Sequence, residues 1–338
     1  MKYQAKLYQQ KAIDKILEEE AVGLFLDMGL GKTAVALTAI NQLINYEESI
    51  KKALVIAPLR VARSTWTDEQ QKWNHLKDLK VVKVLGTASQ RQKALTQNGD
   101  VYLINRENVP WLVKYLGKGW FFDMLVVDEL TSFKNRTTKR WKALRKIRSN
   151  LKKVIGLTGS PIANGLLDLW AQVWLLDQGE ALGKSFSVYR DMYFDPDQRN
   201  REIIYSWKPK KGALEVIQDK VSDLCISMKK EDWLDLPDVI YNRVNVEWDD
   251  TSWSIYDQFE RERLVPYLQG GDIEAGSAAA VTTKLLQMTG GACYDDQGGF
   301  QIINSHKLDA LEEIAEVMFG NPILVYYQYQ HELTRLQN

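Results

Sequence analysis

Residues 22–33 read VGLFLDMGLGKT, an apolar run, a glycine-rich turn and then Lys32-Thr33 opening a segment with Ala34, Leu37, Ile40 and Leu43 at helical offsets. Strand, loop and helix in direct succession are the setting in which such glycines mean a phosphate-binding loop. Across Met28, Gly29, Leu30 and Gly31, the two glycines let the backbone curl until successive N–H groups face phosphate oxygens. The helix N-terminus adds the positive end of its dipole. Lys32 then reaches the β- and γ-phosphates of a nucleotide, and Thr33 offers its hydroxyl to Mg2+. The strict eight-residue pattern has glycine at position 26, where this chain has Leu26.

Further β-branched runs follow at 52–58, 81–85, 100–105, 123–129 and 153–158, separated by segments of helix length. Continuously apolar strands spaced in this way are parallel strands buried on both faces, so the expected fold is a three-layer α/β domain. In such sheets ligands bind beyond the carboxyl ends of the strands. The run LVVDEL (125–130) ends in two adjacent carboxylates, Asp128 and Glu129. At the mouth of a buried strand that pair is costly unless a cation is present. Asp128 is therefore the expected Mg2+ ligand, and Glu129 the group that orients or deprotonates an attacking water.

The chain has 338 residues, with 44 Lys plus Arg balancing 44 Asp plus Glu, so net charge alone selects no polyanionic partner. The balance does not hold locally. Ten cations and no acid lie between Glu129 and Asp168, whereas residues 229–274 hold twelve acids against five bases. The basic stretch, Lys134 and Arg136 included, is read either as a nucleic-acid footprint or as a solvated helix face. Cys225 and Cys293 are far apart and His75, His306 and His331 stand singly, which excludes a zinc site and a disulfide framework. No apolar run approaches the ~20 residues that span a bilayer, so a reduced, cytoplasmic protein without a membrane partner is expected.

After Gln178 the alternation stops. We divide the chain into a nucleotide-binding domain (1–178), a mostly helical, aromatic-rich region (179–300) with helices at 211–225, 251–268 and 277–289, and the beginning of another α/β unit (301–338) with a strand ILVYY. The aromatics of 186–256 are expected to be core.

In this order and spacing DMGLGKT (27–33), DELTSFKN (128–135) and LTGSPIANGLLDLWAQVWLL (157–176) resemble motifs I, II and III of the superfamily 2 helicase-like ATPases. The similarity is greatest to the Snf-type branch, the double-stranded DNA translocases that include chromatin remodellers. KKEDWLDLPD (229–238) and KLLQMTGGACY (284–294) are similar to that branch's linker and to the helix before its second lobe.

The resemblance implies a RecA-like P-loop domain, a helical insertion and the start of a second RecA-like lobe. It implies ATP and Mg2+ as cofactors and double-stranded DNA as partner. Gln9 would read adenine, Thr158 and Ser160 would couple nucleotide state to nucleic-acid grip, and Arg60 and Arg63, after motif Ia, would touch the phosphate backbone. Thr131 departs from the family pattern, which has histidine there. Where the family completes its second lobe, this chain has only a first helix and strand, and on the order of 100 to 150 further residues would be needed. The missing lobe is expected in cis or in trans, from a truncated chain or a split motor, with a bacterial or phage origin suggested by compactness. The alternatives are a strand-separating DNA or RNA helicase and a nucleic-acid-binding scaffold with a vestigial nucleotide site.

Overall fold

The computed structural model describes residues 1–159, 165–198, 204–233, 241–265, 272–318 and 322–337. Two compact units divide the chain, Met1–Leu236 and Pro237–Asn338.

The first unit opens with α1 (Leu7–Glu18), β1 (Ala21–Leu26), α2 (Lys32–Asn45) and β2 (Ala53–Ala57), followed by a π-helical turn (Val61–Thr65) running into α3 (Trp66–Lys72). Then come β3 (Val81–Lys83), α4 (Ala88–Leu95), β4 (Val101–Asn105), α5 (Val109–Leu116), β5 (Met124–Asp128), α6 (Lys139–Ile147), β6 (Lys153–Thr158) and α7 (Leu169–Asp177). It ends with α8 (Phe186–Tyr193), β7 (Phe194–Pro196), β8 (Trp207–Pro209), α9 (Ala213–Ser222) and β9 (Cys225–Met228). Seven strands form one sheet in the order β3-β4-β2-β5-β6-β1-β9, every neighbouring pair parallel. All six strands expected from the apolar runs are in it.

Alternate residues of each strand enter opposite faces, which is why uninterrupted apolar runs are needed. Leu24, Leu26, Val55, Val126 and Ile155 pack with Ile13, Ile16, Val35, Leu37 and Ile40 of α1 and α2. On the other face Phe25, Leu54, Ile56, Val127 and Val154 pack with Leu112, Trp141, Leu144, Trp170 and Ile217 of α5, α6, α7 and α9. Tyr189, Tyr193 and Phe194 are buried in this second layer, as core aromatics.

β9 differs from the sequence reading, which placed Cys225 at the end of a helix. The helix stops at Ser222, and Cys225–Met228 pair with Gly23–Leu26 as an edge strand. Edge pairing there depends on the exposed flank of β1, which local periodicity does not encode.

The second unit contains α10 (Asp250–Glu262), the short pair β10 (Leu264–Val265) and β11 (Ile273–Glu274), α11 (Ala278–Met288), the hairpin β12 (Ala292–Tyr294) and β13 (Phe300–Ile302), α12 (His306–Val317) and α13 (Gln330–Gln337). Phe259, Ile273, Met288 and Cys293 form its small core. Ile323–Tyr327, expected as a strand, carries no regular structure, and Leu324 and Tyr326 are 77% and 87% exposed. A strand exists through its ladder partner, and among the described residues none lies beside this segment. Trp248, Trp253 and Tyr256 cluster with ring centroids 5.1–5.8 Å apart, but Trp253 is exposed rather than core.

Candidate nucleotide site

β1, β6 and β5 are adjacent in the sheet, so the phosphate loop, Thr158 and Asp128 emerge side by side at one edge. The register fixes their levels: Asp128 stands opposite Leu157, and Thr158 opposite Phe25. These are the carboxyl ends, where a parallel α/β sheet opens its binding crevice.

The loop is closed in on itself. Lys32 donates from Nζ to the carbonyls of Leu26 at 2.6 Å and Asp27 at 3.2 Å. Gly31 caps α2 with φ +80°, and a Cβ there would stand 2.7 Å from Gln9 Nε2, so this position favours glycine. Gln9 donates to the Leu30 carbonyl at 3.2 Å and accepts from the Lys6 backbone N–H at 3.0 Å, tying α1 to the loop. The Leu30 side chain is buried, Met28 is exposed, and Thr33 is half-buried in the first turn of α2.

Lys32 and Asp128 are half-buried, Glu129 is exposed, and their charges act on one another. Burial lowers the Lys32 pKa, against the opposing pull of Asp128, Glu129 and Asp27. Burial likewise raises that of Asp128, with Glu129 adding to the rise; the hydrogen bond from Trp66 and the charge of Lys32 act the other way. Both groups are thus pushed toward neutrality, as expected of a site whose remaining charges come from a ligand.

Trp66 Nε1 donates to Asp128 Oδ2 at 2.8 Å. Glu129 lies in the left-handed region at φ 65°, and its Oε1 accepts from Thr158 Oγ1 at 3.2 Å and from Thr131 Oγ1. Sequence reasoning missed Trp66, because its approach to Asp128 depends on β2 lying next to β5. Thr131 was visible only as a departure from a pattern. Asp27 was visible only as part of the loop motif, and its Oδ2 accepts from the Lys230 backbone N–H at 3.0 Å, just past β9.

A hard cation fits this donor set. Mg2+ takes one or two protein oxygens beside substrate phosphates and water, and the Asp128 carboxylate with the Thr33 hydroxyl is such a pair. Among the described residues there is no cluster of three or more His, Cys, Asp or Glu able to cage a metal.

The expected nucleic-acid residues separate into two groups. Arg60 and Arg63 are exposed, on and beside the π-helical turn after β2, and Lys83 Nζ fixes that turn by donating to the Arg63 carbonyl at 2.5 Å. Lys134 instead pairs with Asp168 at 3.4 Å, and Arg136 covers the Phe186 ring at 4.4 Å. Ser160 lies outside the described residues.

A family model, the SNF2-related domain, matches residues 8–295. The chain belongs to that family. It is an ATPase of the helicase superfamily 2 class, with the α/β fold that the motifs imply. This SNF2-related chain is 38% identical over 336 residues to a protein of Acyrthosiphon pisum secondary endosymbiont phage 1, covering 97% of this chain and 73% of that protein. An uncharacterized ATP-dependent helicase of Mycoplasma genitalium is 30% identical over 173 residues, 48% of this chain and 16% of the helicase. In fold it is similar to the Sulfolobus solfataricus SWI2/SNF2 ATPase core solved in complex with dsDNA, with a TM-score of 0.59 at 22% identity, over 98% of this chain and 68% of that one. Among the described residues no helix is long and apolar enough to cross a membrane.

Proposed function

We propose that this SNF2-related chain is the ATP-binding portion of a motor that moves on duplex DNA. The observation that carries the reading is the placing of Lys32, Asp128 and Glu129 at the carboxyl ends of β1 and β5, the two strands that flank β6, with Glu129 held by hydroxyls from two directions. Phosphoryl transfer needs little covalent help from the protein, and is catalysed by positioning and electrostatics.

In this reading the backbone N–H groups of 28–31 and Lys32 clamp the phosphates, and Gln9 reads the adenine edge. Mg2+, held by Thr33 and Asp128, neutralises charge on the phosphates. Glu129 aims a water at the γ-phosphate through its second carboxylate oxygen. Thr158 and Ser160 relay the state of the site. Arg60 and Arg63 grip the DNA backbone, whose contacts carry affinity without sequence information. The cation that meets the developing charge on the γ-phosphate comes from a second RecA-like lobe, in cis or in trans. We assign residues 1–178 to the first lobe, 179–300 to an insertion and linker whose first part packs on that lobe and adds β9 to its sheet, and 301–338 to the beginning of that second lobe.

The test compares ATP hydrolysis stimulated by duplex DNA, single-stranded DNA and RNA, for this chain and for the chain joined to its second lobe. Duplex is expected to stimulate most once the lobe is present, while this chain alone binds Mg2+ and ATP and turns over slowly. A preference for single strands or RNA would turn the assignment toward strand separation. Strong duplex-stimulated turnover by this chain alone, abolished by Lys32→Ala, would refute the need for the second lobe.

A further inference from the structure

Asp128 is reached from outside its own strand by an unusual route. Ala57 ends β2, which pairs with β5 up to the Ile56–Val127 level, so the chain leaving β2 passes beside Asp128. It then makes a π-helical turn over Val61–Thr65 before settling into α3. Single π turns are rare and occur frequently at functional sites. In a regular helix residues three apart share a face. Here Arg63 is exposed, while Trp66, three residues on, is fully buried with its indole N–H on Asp128 Oδ2.

The turn is braced in its first half and at its middle. Ala62 N–H bonds the Pro58 carbonyl at 2.9 Å, and Lys83 reaches from the end of β3 to the Arg63 carbonyl. One short rigid piece therefore carries two exposed guanidiniums on its outer side and one buried hydrogen-bond donor on its inner side.

We propose that Trp66 is a positioning residue for Asp128, and that the 61–65 turn makes it the mechanical link through which a phosphate backbone held by Arg60 and Arg63 adjusts the cation site. The indole occupies one carboxylate oxygen and orients the other toward the cation. A displacement of the arginines is transmitted because the turn and the indole move together. The coupling half of this proposal rests on the reading of Arg60 and Arg63 as DNA-backbone contacts.

The experiment replaces Trp66 in the full chain by 3-benzothienylalanine, which keeps the ring shape and puts sulfur where the N–H was, and in parallel makes Trp66→Phe. Binding of a fluorescent ATP analogue is titrated with Mg2+, with and without a short duplex, and melting temperatures are recorded. Loss of the N–H is expected to raise the Mg2+ midpoint about tenfold. Duplex should shift the native midpoint by about fivefold and leave both variants unmoved. A benzothienyl protein that melts like the native chain and has the native Mg2+ midpoint would overturn the proposal. If duplex shifts the variants as much as the native chain, the coupling fails and the DNA reading stands. If duplex does not bind the native chain by anisotropy, the coupling falls together with that reading, and the Mg2+ midpoint still decides the tie to Asp128. Should Trp66→Phe unfold, the Mg2+ midpoint of the isosteric replacement decides by itself.

Discussion

Thr158, the last residue of β6, donates its hydroxyl to Glu129 Oε1 across 3.2 Å, and Thr131 donates to that same oxygen. Two donors on one oxygen fix the carboxylate plane and leave Oε2 as the atom that, in the proposed function, takes a proton from water. A hydrogen bond to a charged group is worth about 1.5–3 kcal/mol. Thr131→Val is therefore expected to lower kcat for ATP hydrolysis by roughly tenfold or more. KM for ATP should stay near the native value if, as proposed, Glu129 acts on water rather than on the bound phosphates. Thr131→Ser, which restores the hydroxyl, should recover most of the rate. Steady-state kinetics read both parameters; a rise in KM with unchanged kcat would mean that Thr131 serves nucleotide binding instead.

Asp128 is ionised at a cost. Its folded pKa is raised, first by burial, so the folded chain holds this proton more tightly than the unfolded chain does. The associated stability is fully present below the unfolded carboxylate pKa of about 3.9, and is lost as pH rises through the folded pKa. At pH 7 without nucleotide, Asp128→Asn should therefore melt higher than the native chain, by about 2–4 °C, and the gap should close on acidification below about pH 4. Added Mg2+ and ATP should reverse the order if, as proposed, the Asp128 carboxylate holds the cation, since only the native chain then gains from it. Differential scanning fluorimetry across pH tests this; a variant that melts lower at neutral pH would show that the carboxylate is stabilised as an anion.

Legibility followed the range of the interactions. Strands β1 to β6 could be read because a parallel strand covered on both faces must be apolar along its whole length, and the loop at 27–33 because phosphate binding needs glycines in a particular context. β9 escaped because Cys225–Met228 becomes a strand only by pairing with β1. Trp66 escaped because its role arises from the order of strands in space. The aromatic stretch divided: Tyr189, Tyr193 and Phe194 are core, but Trp253 is exposed. The charge run at 134–153 had the most ambiguous signal, since composition does not say which face a cation occupies.

Neither cysteine is poised to react. Burial pushes the Cys225 thiol up to about 12 and the Cys293 thiol up to about 11. The thiolate is the reactive form, so at pH 8 a thiol-specific chromogenic reagent should find almost none in the native chain and both after denaturation. Cys225 stands opposite Gly23 in the β1–β9 pairing, where a Cβ on the glycine would lie 2.6 Å from the sulfur. Prompt labelling of Cys225 in the native state would mean that β9 detaches from the sheet edge.

The charge run itself separates into structural and surface cations. Arg148, 6% exposed, donates to the Leu175 carbonyl at 2.8 Å and to that of Leu176, capping the end of α7. Lys153, also buried, caps α1 through the carbonyls of Ile16 at 2.5 Å and Leu17 at 3.1 Å. Cations placed on last-turn carbonyls are favourable, and removing either leaves buried acceptors unsatisfied. Arg148→Met is expected to cost about 3 kcal/mol of stability in chemical denaturation, whereas the exposed Lys142→Ala should stay within about 0.5 kcal/mol. Arg148 and Lys153 are also unavailable to a polyanion. Duplex affinity, measured by anisotropy over a salt series, should therefore be unchanged by Lys153→Met at temperatures where the variant is folded. It should weaken with Arg60→Ala and Arg63→Ala, each reducing the log–log salt slope by about one. A slope that falls for Lys153→Met and holds for the two arginine variants would move the DNA track away from the turn after β2.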